Sequence, residues 1–153
     1  MDDIRQELAE LRAEVRRLRD LDEIGRIYTA YGRHLDDGDL DKYVALYARN
    51  AKVRLGPVMK ADGIDEIRVA AAAMLERTRA GGRKSIHLLA PPRIEVDAGG
   101  ETASGECVWA AVTLADDGSP RIFMGRHVDT FVREDGAWKI AFRKGLADLG
   151  GMS

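Results

Sequence analysis

Residues Tyr28 to Tyr47 read YTAYGRHLDDGDLDKYVALY. The pattern predicts the end of a long amphipathic helix, an acidic turn and a second, short helix. Tyr28, Tyr31, Leu35 and Asp36 recur at three- and four-residue steps, so they share a helical stripe that also carries Ile24 and Ile27. A carboxylate closing an apolar stripe is unusual, because burying it without a partner is costly. The partner must come from later in the chain. His87 and His127, each in the middle of an apolar strand pattern, are the candidates.

Toward the N-terminus, residues 2–20 contain no Gly or Pro and are dense in good helix formers. Ile4, Leu8, Leu11, Val15 and Leu18 follow heptad spacing, after which the apolar positions shift to Leu21, Ile24, Ile27, Tyr28 and Tyr31. One long helix is expected. Residues 1–20 form an extension that is either a solvated helix or a self-association element, and residues 21–147 form the domain.

Toward the C-terminus, Asp37-Gly38 supplies a reversal and Asp39 an N-cap for a helix through Tyr43 and Leu46. Ala51–Leu55 alternates as a strand stopped by Gly56-Pro57, and a third helix runs from about Ile64 to Arg79. From Lys84 the period falls to two. Lys84–Val96 forms a strand interrupted at Pro91-Pro92, followed by Thr102–Leu114, Arg121–Arg133 and Trp138–Lys144, with Gly- and Asp-rich turns between them. Gly145 onward reads as a small-residue tail, with 148–153 outside the domain. The fold class is therefore α+β: a strongly curved, mainly antiparallel sheet wrapped around N-terminal helices, with a concave cavity suited to a small molecule.

With 153 residues the chain can bury one core and a pocket besides. A formal net charge of −2 with interleaved acids and bases argues against a nucleic-acid surface. The highly charged N-terminus and the absence of any membrane-length apolar run imply neither a signal peptide nor a membrane partner. A single cysteine, Cys107, excludes an intrachain disulfide framework and fits a cytoplasmic location. The three histidines are too scattered to argue for a metal.

Several polar residues break the apolar patterns. His87 shares a strand face with Ser85 and Leu89, and His127 shares one with Phe123, Asp129 and Phe131. Strict alternation sets Arg143 opposite Trp138 and Ile140. A histidine held by a carboxylate keeps the tautomer that frees its other nitrogen as a base. Plainer readings stand beside this one. A lone strand histidine is more often structural, Asp36 could close its helix or cap the next, and Arg143 could snorkel from the last strand.

Leu21–Tyr47 (LDEIGRIYTAYGRHLDDGDLDKYVALY), Ser85-Ile86-His87 and Gly125–Arg143 (GRHVDTFVREDGAWKIAFR) together resemble the SnoaL-like branch of the nuclear transport factor 2-like superfamily. The resemblance implies a cone-like α+β barrel with a deep pocket. By motif it is similar to the cofactor-free lyases of that superfamily: scytalone dehydratase, hexachlorocyclohexane dehydrochlorinase and bile-acid dehydratase. It implies a catalytic Asp36–His87 dyad, with Tyr31, Arg143 and, more loosely, His127 as further catalytic groups. Tyr28, Tyr47, Phe123 and Trp109 are expected to contact the substrate.

The expected activity is that of a lyase or isomerase without cofactor or metal, acting on a small, apolar, cyclic molecule. A homo-oligomer, dimer or trimer, is expected. A non-catalytic pocket or association protein, a polyketide cyclase-like enzyme, and a helper subunit of a ring-hydroxylating oxygenase share the fold and stay open at this level.

Overall fold

A computed structural model describes residues 1–82 and 84–149. The elements are α1 (Asp2–Asp37), α2 (Leu40–Val44), β1 (Tyr47–Leu55), β2 (Met59–Asp62), α3 (Ile64–Ala80), β3 (Ser85–Leu89), β4 (Arg93–Val96), β5 (Thr102–Leu114), β6 (Pro120–Glu134) and β7 (Ala137–Leu149). Helix α1 ends where Gly38 takes the left-handed conformation (φ 68°), and the Asp39 carboxylate then caps α2 by accepting from the Lys42 N–H at 3.1 Å.

Seven strands form one mixed sheet in the order β2-β1-β7-β6-β5-β3, with β4 also paired to β5. All pairings are antiparallel except that of β1 with β7. The sheet curves around α1 but does not close: β2 and β3 remain unpaired edges among the described residues. The α+β architecture is as expected from the sequence, as an open cone.

Four details differ from the sequence reading. Strand β1 begins at Tyr47 rather than Ala51, because Tyr47 and Ala48 are buried against β7 and the backbone Ile140 N–H bonds to Leu46 O. Strand β2 pairs with β1 where only a turn was expected. The Pro91-Pro92 pair, which cannot donate to a ladder, splits the expected first meander strand into β3 and β4. Strand β7 continues through Leu149 because β6 offers it a partner along its whole length. Of the expected tail, residues 150–153 lie outside the described residues.

The second half of α1 fills the cone. Ile24, Ile27, Tyr28 and Tyr31 are buried along the stripe the sequence predicts. The Asp20 carboxylate accepts from Arg133 (2.5 Å) and from the Trp138 indole N–H (3.0 Å), and Glu23 accepts from the Trp138 backbone N–H (2.9 Å), clamping α1 to the β6–β7 hairpin.

Side chains on the concave face fall into transverse rows set by strand register. The first row is His87, Ala111, Phe123 and the second is Leu89, Trp109, Gly125. Cys107, His127, Gly145, Leu55 follow, then Gly105, Asp129, Arg143, Val53, and last Ala103, Phe131, Ile140, Tyr47. The register of β7 shifts between the last two rows. Thr130 faces Phe142 while Phe131 faces Ile140, so Ala141 has no opposite residue. This one-residue bulge restarts the alternation and turns both Ile140 and Arg143 inward. Strict alternation, which sets Arg143 opposite Ile140, therefore fails here. The surface reading of Arg143 fails with it, since its side chain is 0% exposed.

Candidate active site

Asp36 lies in the last turn of α1 and His87 in the middle of β3. Their side chains meet: His87 Nδ1 is 2.6 Å from Asp36 Oδ1, and the His87 backbone N–H donates to Asp36 Oδ2 at 2.9 Å. Both side chains are about three-quarters shielded, 22% and 23% exposed. A carboxylate accepts and cannot donate, so it fixes the proton on Nδ1 and leaves the lone pair on Nε2. An aspartate at a helix C-terminus is disfavoured by the helix dipole, so the two hydrogen bonds from β3 offset a local cost.

The approach of β3 to α1 depends on Gly32, one turn before Asp36. A Cβ at Gly32 would lie 2.7 Å from Leu89 Cδ1 and 3.3 Å from His87 Cβ. A side chain there would force Leu89 to shift and would press on His87. Gly32 was not singled out in the sequence, because the reason for it lies on a strand more than fifty residues away.

His127 is buried two rows deeper, edge-on to Tyr31 (5.2 Å between ring centroids) and stacked on Trp109 (5.7 Å). Its pKa is lowered well below the usual histidine value by burial, by the Arg143 cation and by His87. It is thus a neutral imidazole, fit to give or accept a hydrogen bond rather than to act as an acid. Tyr31 keeps its proton, since burial raises its pKa more than Arg143 lowers it. It is a phenol able to donate a hydrogen bond, not a phenolate.

Arg143 and Asp129 form a fully buried, two-pronged ion pair, with Nε to Oδ1 and Nη2 to Oδ2 both at 2.8 Å. The guanidinium lies against the rings of Tyr31 (4.2 Å) and Tyr28 (5.3 Å). Burial pulls the Arg143 pKa down, but Asp129 outweighs it and the net shift is well upward. The cation is permanent. In the sequence Asp129 stands out only by sharing a strand face with His127. Once the bulge brings Arg143 to its row, it is the arginine's partner instead.

All four tyrosines of the chain are buried here. Tyr43 and Tyr47 hydroxyls bond to each other at 3.0 Å, next to the Tyr31 ring. Tyr28 leans over Gly105, where a Cβ would stand 2.5 Å from the phenol oxygen. Phe123 sits half-buried in the same row as His87. Cys107 has its thiol pushed up to about 11 by burial, with Sγ 3.1 Å from Ala90 O. It is a buried thiol with little thiolate character.

Among the described residues, four buried polar side-chain atoms around this cone make no hydrogen bond of normal geometry: Tyr28 Oη, which lies near the Asp129 carboxylate, Trp109 Nε1, His127 Nδ1 and Arg143 Nη1. Most buried polar groups are paired, so four orphans in one cluster mark a place built to meet something polar. A surface cleft of about 710 Å³ lies elsewhere, between the middle of α1 and the β4–β5 turn. It is open, mixed in charge, and bordered by Arg16, Asp20, Glu23, Asp97, Glu101 and Arg133. Asp20, Glu23 and Arg133 among them are engaged in clamping the helix, and the buried cluster is the stronger candidate. Among the described residues no group of three or more His, Cys, Asp or Glu side chains is arranged to hold a metal ion, and no helix is long and apolar enough to cross a membrane.

A profile of the SnoaL-like domain matches residues 16–144. No curated protein matches the chain by sequence. Among solved structures, an NTF2-like protein with a cystatin-like fold from Novosphingobium aromaticivorans is 25% identical, with a TM-score of 0.77 over 94% of this chain and 92% of the other. A protein from the same organism, provisionally named scytalone dehydratase, is 21% identical, with a TM-score of 0.76 over 92% and 93%. A hexachlorocyclohexane dehydrochlorinase (LinA, type 2) is 14% identical, with a TM-score of 0.75 over 88% and 89%. The last two likenesses show a shared fold. The profile match covers most of the chain and agrees with the open cone described above: the chain belongs to the SnoaL-like domain family, with an NTF2-like fold.

Proposed function

We propose that this protein is a lyase or isomerase that needs no cofactor and works by proton abstraction from carbon, with His87 as the base and Asp36 as its orienting carboxylate. The observation that carries this reading is the two-point contact of Asp36 with His87, through Nδ1 and the backbone N–H of one residue. That contact holds both the tautomer and the position of the ring. Structural neighbours named as a dehydratase and a dehydrochlorinase support the same reaction class.

The substrate that fits is a small, largely apolar, cyclic molecule with an acidic C–H next to a carbonyl and a leaving group one carbon further on. His87 Nε2 takes the proton, and the C–H electron pair becomes the new double bond. The leaving hydroxyl then departs as water with the proton that His87 returns. The carbonyl oxygen gathers negative charge in the transition state. Arg143 Nη1, with no protein partner, and the protonated phenol of Tyr31 are suited to meet that charge. Phe123 and Trp109 would flank the ring of the substrate, while Tyr28 and Tyr47 would form the deeper wall. Proton return at a different carbon would give a double-bond shift instead of elimination.

The rival reading is a non-catalytic pocket protein of the same fold, in which Asp36–His87 is only a structural pair. The orphaned donors and acceptor weigh against it, since a binding cone for an apolar ligand would leave no polar atoms unmet. The test is turnover of cyclic β-hydroxy ketones by wild type, His87→Gln and Asp36→Asn. Positioned proton transfer is typically worth about 10²–10⁴-fold. A His87→Gln enzyme within tenfold of wild type would remove the base assignment.

A further inference from the structure

The exposed N-terminal half of α1 is unexplained by the site. Residues 1–19 are solvent-exposed on all sides, while Ile24, Ile27, Tyr28 and Tyr31 of the same helix are buried in the cone. The projecting part carries Ile4, Leu8, Leu11, Val15 and Leu18, between 42% and 67% exposed. At 3.6 residues per turn this stripe lies on nearly the opposite side of the helix from the cone-facing stripe. A partner could therefore lie along it without meeting the body of the domain.

The charges beside the stripe identify the partner. With Leu8 and Val15 at heptad position a, and with Ile4, Leu11 and Leu18 at d, position e is Arg5, Arg12 and Arg19 and position g is Glu7 and Glu14. In a parallel pair of helices, each g residue faces the e residue five positions on in the other helix. Glu7 would face Arg12 of the partner subunit and Glu14 would face Arg19 of the partner subunit, in both directions across the pair. In an antiparallel pair g meets g and e meets e, setting Glu against Glu and Arg against Arg. In the second heptad, Val15 at a with Leu11 and Leu18 at d also suits two strands, whereas Ile4 and Leu8 in the first do not select them.

We infer that the projecting half of α1 forms a parallel, in-register, two-stranded coiled coil with a second copy of this chain. So few heptads are marginal for free peptides, which must first pay for helix nucleation. Here the helix is already nucleated by its buried second half. The seam has a built-in end: the next a and d positions are Asp22 and Gly25, and the apolar stripe passes to the cone-facing side. Glu14 now pairs with Arg17 of its own helix at 2.7 Å, an exposed contact that is readily exchanged.

The test uses the full chain. Light scattering at tens of micromolar should show a dimer, and Leu11→Asp with Leu18→Asp should give a folded monomer. Leu8→Cys should form an interchain disulfide in air, because a positions face each other only in a parallel, in-register pair. Glu7→Arg with Glu14→Arg, and separately Arg12→Glu with Arg19→Glu, should each weaken self-association by at least about tenfold, and a mixture of the two should restore a dimer. Three results would overturn the inference: a wild-type monomer, failure of Leu8→Cys to crosslink, or a dimer indifferent to Leu11→Asp with Leu18→Asp. The last would place self-association on the exposed convex sheet face around Ile86, Leu88, Ile122 and Met124.

Discussion

Replacing Arg143 by Met leaves the Asp129 carboxylate buried without its counterion. Both side chains are 0% exposed and joined by two 2.8 Å hydrogen bonds. With charge centres about 4 Å apart, the pair is worth about 4 kcal/mol at an effective dielectric of 20. Breaking a buried pair from one side typically costs about 3–5 kcal/mol, because the survivor stays in a medium that cannot solvate it. For a chain of this size each kcal/mol moves Tm by roughly 2–4 °C, so the variant should melt roughly 6–20 °C lower. The reciprocal Asp129→Leu should be similarly unstable. The double variant should recover most of the loss, since no buried charge remains and the replacements fill comparable space. Calorimetry and urea titration of all four proteins close the cycle. If either single variant loses less than about 1 kcal/mol, or the double variant equals the sum of the singles, the pair is not the buried, coupled unit described here. The double variant also separates stability from chemistry: it should fold well and still turn over poorly, because the Nη1 donor is gone.

Other consequences can be checked independently. His127 is held neutral with a lowered pKa, so the unfolded chain binds a proton that the native chain resists; stability is fully present above about pH 6.5 and falls as the pH drops below it. Urea midpoints between pH 7 and 5 should fall less steeply in His127→Gln, and an unchanged slope would contradict a buried neutral imidazole. Gly32→Ala should destabilise by about 1–3 kcal/mol through its clash with Leu89, although Ala is intrinsically the better helix former by nearly 1 kcal/mol; a stabilised variant would mean that β3 does not press on α1 there. Cys107 should react with a thiol reagent only as fast as the protein opens, so native and urea-unfolded rates should differ by orders of magnitude.

Much of the architecture is legible because its periods are long and clean. The stripe from Ile24 to Tyr31 and the alternation along Thr102–Leu114 leave little choice of element. Short or register-dependent features are not legible. Met59–Asp62 is four residues between turns, too brief for any period to declare itself. The inward turn of Arg143 depends on a bulge at Ala141, which no local pattern announces. The Asp36–His87 contact was anticipated because a carboxylate ending an apolar stripe needs a partner, and because the family resemblance named one. The pairing of Arg143 with Asp129 and the role of Gly32 depend on register and on contacts between distant segments, so local sequence is silent about them.

The most direct test of the dyad needs no substrate. The ¹⁵N shifts of the His87 ring, recorded where the imidazole is neutral, report which nitrogen carries the proton. The Asp36 contact predicts a proton on Nδ1 and a bare Nε2 in wild type, with that preference lost in Asp36→Asn. A proton on Nε2 in the wild-type protein would contradict the central claim, since the nitrogen assigned as the base would already be occupied.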